Sequence, residues 1–389
     1  MKIITNTSTL SEIIAKVSKA CPRKGVGLHI LQYVLFCKMD AEYYLISSSD
    51  DTWVQHRIHF ADVQGEWHDF CLPIGSATTA ISMLPDQSMT IDVQDELTNG
   101  SYAINFSTIG SNNKKTTFTS VALGAEEYPR WVEGNNQVCL PSIPTASLLS
   151  SIKEASKYVA TDFLRPVMNG VYLDFYHNNF TIVATNGRIL YKNVFKIELD
   201  AVKEGDHASA DIPVSIVSIL TSCIEKEENV EVCISEKLAS FRTTDVFIMV
   251  NTYDGRYPNY NSVIPINDKF AVFNKRELMN AAKLVRNFAP ESTDILCMDL
   301  GNNLFMELST QDTDFSVSAK DTVSIVEEAN LDPMRIGIKG SSLLTCLSDI
   351  QTENVKFKFS EPAKAITIHE DDENSSILIL LMPMLLNDF

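Results

Sequence analysis

TLSEIIAKVSKAC (residues 9–21), TASLLSSIKEA (145–155) and NKRELMNAAKLV (274–285) are one amphipathic pattern written three times. In the first, Leu10, Ile13, Ile14, Val17 and Cys21 fall on one helical face. Leu148, Leu149, Ile152 and Ala155 do so in the second, and Leu278, Ala281, Ala282 and Val285 in the third. Thr9-Leu-Ser-Glu12 reads as a capping box, the threonine hydroxyl serving an orphan N–H while the glutamate reaches back. Comparable openings stand at Thr145 and Asn274, so the starts divide a chain of 389 residues into near thirds.

The stretches after the three helices are also alike. HILQYVLFCKMD, EYYLISSSDD and TWVQHRIHF come after the first; MNGVYLDFYHNN, FTIVATNG and RILYKNVFKI after the second; DILCMDLGNN, LFMELSTQD and TDFSVSAKD after the third. These β-branched and aromatic runs, broken by Asn, Asp and Gly, predict antiparallel strands with tight turns. Each third then holds a second helical pattern, near Ile74, Val214 and Ser341, and a further strand pair. The unit is a helix plus a few strands, about 65 residues long and present six times. One helix cannot close a core over a small sheet, whereas two units packed together can. The fold class expected is α+β: three repeated domains, each two helices on antiparallel sheets. Polar, Pro- or Gly-bearing stretches around 127–136 and 257–268 set the domains at residues 1–130, 137–263 and 267–389.

Hydrophobic residues make up 45% and charged residues 21%, enough apolar material for real cores and too little charge for wholesale disorder. No apolar run reaches the ~18 residues that cross a bilayer, and the start reads as no secretory leader. The eight cysteines contain no C-x-x-C pair and mostly sit in apolar runs. They read as reduced core thiols in a cytoplasmic protein, with zinc, other metals and a disulfide framework not expected. The net charge of −18 argues against a conventional nucleic-acid binder. His56 and His59 read as surface histidines on opposite sides of a strand, unable to share a metal. The acidic runs at 225–229 and 370–374 read as solvated turns. No nucleophile–base or P-loop motif occurs, so no catalytic residue and no cofactor is expected.

RPVMNGVYLDF (165–175), TIVATNGRIL (181–190), YDGRYPNYNSVIP (253–265) and LLMPMLL (380–386) go beyond pattern. Together, and within a triplicated two-helix frame, they resemble the bacterial sliding clamp family, the β subunit of DNA polymerase III. The resemblance spans the whole chain. It implies a head-to-tail homodimeric ring around double-stranded DNA, a tether that hydrolyses nothing and makes DNA synthesis processive. It also implies a pocket between the second and third domains for short peptide motifs from polymerase III subunits, the clamp loader and repair polymerases. Matched position by position, that pocket is Met168, Thr185, Gly187, Arg188, Leu190, Pro258, Val263, Leu380, Met382, Pro383, Met384 and Leu386. Met and Leu repack around different anchors, which suits an adaptable peptide site. Ser262 and Leu385 stand where the family commonly carries basic residues, and Asn387 to Phe389 extend past the usual end.

A tether can hold DNA through weak phosphate attraction, which carries no base information and permits sliding. The first helix of each third carries the cations for this: Lys16 and Lys19, with Arg23 and Lys24 after; Lys153 and Lys157, with Arg165 after; Lys275, Arg276, Lys283 and Arg286. A positive lining can coexist with an acidic exterior. The plainer reading is that these are ordinary solvated helix faces. For the ring contact, the strand KTTFTSV (115–121) offers an edge, with Phe118 packing near Val285 and Phe288 of a second copy. Alternatives are a divergent second clamp from a mobile element serving a specialised polymerase, a non-DNA scaffold, and an enzyme on the same repeats.

Overall fold

The computed structural model describes residues 1–22, 27–97, 101–110, 114–131, 137–197, 207–225, 229–235, 237–301 and 304–386. All six expected helices form: α1 (Thr7–Val17), α2 (Ser76–Ser82), α3 (Thr145–Ala155), α4 (Ser215–Cys223), α5 (Lys275–Arg286) and α6 (Gly340–Ser348). The apolar faces read from the sequence are the buried ones, Leu10, Ile13, Ile14 and Val17 in α1 and Leu278, Ala281, Ala282 and Val285 in α5. α1 packs on α2 and α4, and α5 on α6.

Among the described residues the strands assemble into two antiparallel sheets of thirteen and twelve strands. Each sheet runs out of one third of the sequence into the next. In the first, Val246–Asn251 of the middle third pairs with Thr52–Ile58. In the second, Ile189–Lys196 of the middle third pairs with Leu378–Leu381 near the end of the chain. Main-chain bonding thus draws the middle third into both sheets. The compact units follow these sheets: Met1–Leu149, Asp200–Lys203 and Ile212–Thr252 form one; Ser150–Leu199, Glu204–Asp211 and Tyr253–Phe389 form the other.

Three local expectations are corrected. α1 starts at Thr7, not Thr9, because Asn6 is its cap: the Asn6 side-chain oxygen accepts from the Ser8 amide at 2.9 Å. Glu12 instead pairs with Lys16, one turn on, at 2.7 Å. His56 is buried rather than at the surface, its Nδ1 2.7 Å from the Arg57 carbonyl, and burial holds its pKa below the ordinary histidine value; His59 is exposed. The cysteines are not all reduced. Strands Val138–Pro144 and Asn229–Ile234 pair so that Cys139 lies directly opposite Cys233, and the two form a disulfide across 94 residues of sequence. Sheet register made that pair, which sequence spacing concealed. The other six are free, five of them buried. Among the described residues no helix is long and apolar enough to cross a membrane. Asp371 to Asn374 are exposed, as a solvated turn should be.

Candidate functional site

The residues expected to form the peptide site begin at a hairpin turn. Strand Asn179–Thr185 ends in Thr185, whose hydroxyl donates to the Ile189 carbonyl at 2.8 Å and accepts from the Gly187 amide at 3.0 Å. The Asn186 side chain accepts from the amides of Arg188 and Ile189, both at 3.0 Å. With its four residues bonded this tightly, the turn requires a left-handed φ of +83° at Gly187, which glycine takes without steric cost. A Cβ at Gly187 would stand 3.8 Å from the Met168 methyl. The ATNG segment is therefore both a hairpin turn and a wall against Met168.

The closing segment is pinned to the same turn. Leu190 is the register partner of Leu380, and the Met382 amide donates to the Arg188 carbonyl at 2.8 Å. Further on, the Met384 amide donates to the Gly337 carbonyl at 2.7 Å. A Cβ at Gly337 would lie 2.5 Å from the Met384 carbonyl oxygen and 3.0 Å from Leu386, so this approach needs a glycine.

The YPNY segment is held by its tyrosines. Tyr257 and Tyr260 are buried in a cluster with Val183, Leu190, Ala365 and Leu380. Tyr172 stacks on Tyr257 at 4.3 Å, and the Tyr260 hydroxyl donates to Asp174 at 2.6 Å. Anchoring two side chains inward leaves Pro258 exposed and Val263 53% exposed.

The expected residues thus divide by depth. Met168, Thr185, Leu190 and Leu380 are buried and form the framework. Gly187, Arg188, Pro258, Val263 and Met382 face solvent, while Pro383, Met384 and Leu386 are half-buried. Leu385, at 83%, and Ile266, at 95%, add exposed apolar surface that the sequence reading had not assigned. Their signal was available: an apolar residue in a loop has no core to join. Asn387 to Phe389, expected to extend over the pocket, lie outside the described residues.

The basic helices carry less free charge than their sequence suggests. Lys16 bridges Glu12 at 2.7 Å and Glu225 at 3.3 Å; burial opposes its charge, but the two carboxylates outweigh it and hold its pKa above the ordinary lysine value. Lys157 pairs with the buried Asp349, Arg165 with Asp162 at 3.2 Å, and Arg286 with Asp294 at 2.7 Å. Lys275 donates to the Ile350 carbonyl at 2.7 Å, and Lys19 to the Ser222 hydroxyl. Lys153, Arg276 and Lys283 are exposed. Arg23 and Lys24 lie outside the described residues.

The strand expected as an edge is one over most of its length. Lys115–Gly124 pairs along Ser101–Ile109 on one side, while on the other only Leu123 and Gly124 pair with Phe70–Pro73 among the described residues. Phe118 is half-buried and stacks on Phe106 at 4.7 Å. Val285 is corrected: it is fully buried in the chain's own core, since it continues the Leu278–Ala281 face of α5, and cannot meet a second copy. Leu284 and Phe288 are the exposed apolar residues there.

Among the described residues, six helices on two antiparallel sheets, with apolar side chains gathered where a hairpin turn, a tyrosine-anchored loop and the closing segment meet, define a repeated α+β protein. Residues 142–259 match the family model described as the DNA polymerase III beta subunit, central domain. The beta sliding clamp of Treponema pallidum is 26% identical over 282 residues, 70% of this chain and 72% of that protein. That of Pseudomonas aeruginosa is also 26% identical, over 273 residues, 69% of this chain and 72% of the relative. The crystal structure of the P. aeruginosa DNA polymerase III subunit beta shares the fold with a TM-score of 0.87 at 22% identity, covering 99% of this chain and all of that one. The Thermotoga maritima beta subunit does so at 0.82 and 22%, with 99% of this chain and 100% of that chain covered. The chain is thus similar in sequence to bacterial beta sliding clamps and shares the fold of DNA polymerase III beta subunits.

Proposed function

We propose that this protein is a DNA sliding clamp, a homodimeric ring that encircles double-stranded DNA without sequence preference and tethers the replicative polymerase. The observation that carries the reading is the convergence of three separated segments: Leu190 against Leu380, Met382 on Arg188, and Met168 against Gly187. In the domain scheme 1–130, 137–263 and 267–389, domain one of one copy meets domain three of the other. Leu284 and Phe288 replace Val285 as the apolar contacts offered to the strand bearing Phe118. The cleft takes short apolar peptide motifs from polymerase III subunits, the clamp loader and repair polymerases, with Met382, Val263 and Pro258 as the accessible anchors. The protein has no chemistry of its own, needs no cofactor and works in the cytoplasm.

Encirclement makes release from DNA topological, so contacts can stay weak and permit sliding. The test is retention on a nicked circular duplex, loaded with clamp loader and ATP. Retention at moderate salt and prompt loss after the circle is linearised is expected. Equal loss from circular and linear DNA would refute the ring.

A further inference from the structure

Among the described residues, strand Val138–Pro144 is the last strand of the thirteen-stranded sheet and pairs with Asn229–Ile234 alone. Across that pair Cys139 and Cys233 stand opposite each other, their Cα atoms 4.0 Å apart. Cys139 is exposed and Cys233 buried. Glu231 precedes Cys233 by two residues, and alternate residues of a strand share a face. Its carboxylate therefore joins the sulfurs, and the three ligand atoms lie within 4.8 Å of one another. Val230 and Val232, on the other face, are buried in the core.

We propose that Cys139, Cys233 and Glu231 form a redox-gated site for a thiophilic divalent cation of the Zn²⁺ class. The site is closed here as the disulfide and opened by a dithiol reductant. One thiolate of the reductant attacks the exposed Cys139 sulfur; the Cys139–Cys233 bond breaks and Cys233 leaves as a thiolate. The second thiol of the reductant then displaces Cys139 from the mixed disulfide. The protein gains two electrons and two protons, and the dithiol becomes a disulfide. The metal displaces the two thiol protons and binds two sulfurs and one oxygen, with water in the fourth position.

Sulfurs on one tetrahedral zinc lie ~3.8 Å apart, a spacing that two opposed cysteines reach by side-chain rotation alone. Glu231 sits 3.8 Å from Arg242, a loose pair between half-exposed side chains that the metal replaces, and the guanidinium keeps its place over the Phe247 ring at 4.5 Å. The remaining thiols do not compete: five are buried and Cys21 is partly so, and burial raises the pKa values of all six, Cys21 and Cys37 to about 12. Disulfide and metal have the same mechanical effect: each ties strand Val138–Pro144, which leads directly into α3, to Asn229–Ile234. Only the reduced, metal-free form leaves the edge unclasped.

The test titrates zinc ions into the full-length protein against a chromophoric chelator, oxidised in one arm and reduced, with reductant removed anaerobically, in the other. One equivalent bound by the reduced protein and none by the oxidised protein is expected. Both arms use the same chain, so the comparison does not depend on a variant folding. Reduced C139S and C233S should lose the equivalent, and E231Q should keep the stoichiometry with weaker binding. Zinc should also protect Cys139 from alkylation in the reduced protein. No uptake by the reduced protein, or equal uptake by the oxidised protein or by C139S, overturns the proposal.

Discussion

Single side chains carry both the proposed peptide contact and a cost in this protein. Met382 is 39% exposed where its neighbours Leu380 and Leu381 are buried, so it presents a flexible apolar anchor without supporting the core. Met382→Ala should weaken a clamp-binding peptide by about 1–3 kcal/mol, the usual loss for a central anchor, with the melting temperature little changed. Fluorescence anisotropy with a labelled peptide measures it, and unchanged affinity would remove Met382 from the site. Asp211 is a different case: it is buried, neither carboxylate oxygen has a hydrogen-bond partner among the described residues, and burial lifts its pKa from the ordinary 3.8 to about 8. Between those values the native state holds a proton that the unfolded chain has released, so stability falls as pH rises through the window. Asp211→Asn should flatten that fall, with a gain on the order of 2–4 kcal/mol at pH 8 relative to pH 4, after allowing for residual solvation. Urea melts at the two pH values check this; parallel curves for both proteins would contradict it.

At the scale of elements, the proposed peptide site depends on how the closing segment docks. Leu378–Leu381 lies between Ile189–Lys196 and Ile366–Glu370, and beyond it the chain is held by the bond from Met384 to Gly337. Gly337→Ala would press a methyl into the Met384 carbonyl, a contact backbone cannot yield without shifting. The segment should lift from residue 382 onward while the strand before it stays paired. Peptide binding should then fall about tenfold or more, with circular dichroism and the oligomeric state unchanged, because removing a wall takes away several anchoring groups at once. Wild-type peptide affinity in this variant would mean that Met384 and Leu386 are not part of the wall.

For the whole molecule, the acidic total of −18 coexists with cations on and just after α1 and α3 and along α5. The ion pairs sort them. Reversing Lys157 would set a second carboxylate beside buried Asp349, and reversing Arg286 would do the same beside Asp294, so folding and DNA effects would be confounded. Lys19, Lys153 and Lys283 are exposed and outside those ion pairs. Their combined reversal to glutamate should leave stability within about 1 kcal/mol, since exposed charges contribute little. It should nonetheless lower loading on DNA and flatten its dependence on salt, because every phosphate no longer neutralised subtracts one counterion-release contribution. Unchanged processivity at low salt in the triple variant would place the DNA-facing surface elsewhere.

Helices and strands were legible in the sequence because their periodicities are local: Leu278, Ala281, Ala282 and Val285 announce one buried face whatever they pack against. The triplication was legible for the same reason. Depth and pairing were beyond the sequence. Leu190 and Met382 look equally apolar in the chain, yet one is buried and the other exposed, because sheet pairing puts Leu190 against Leu380 while Met382 comes after the last paired residue. Lys157 and Lys153 look equally free, yet only Lys157 meets Asp349, a residue 192 positions away. The roles of Asn6, Cys139 and Cys233 were hidden on similar grounds. A cap is set by where the backbone leaves the preceding strand, and a disulfide by which residues the register places opposite each other. Such partners are chosen by long-range geometry, and that was decided only when the two sheets formed.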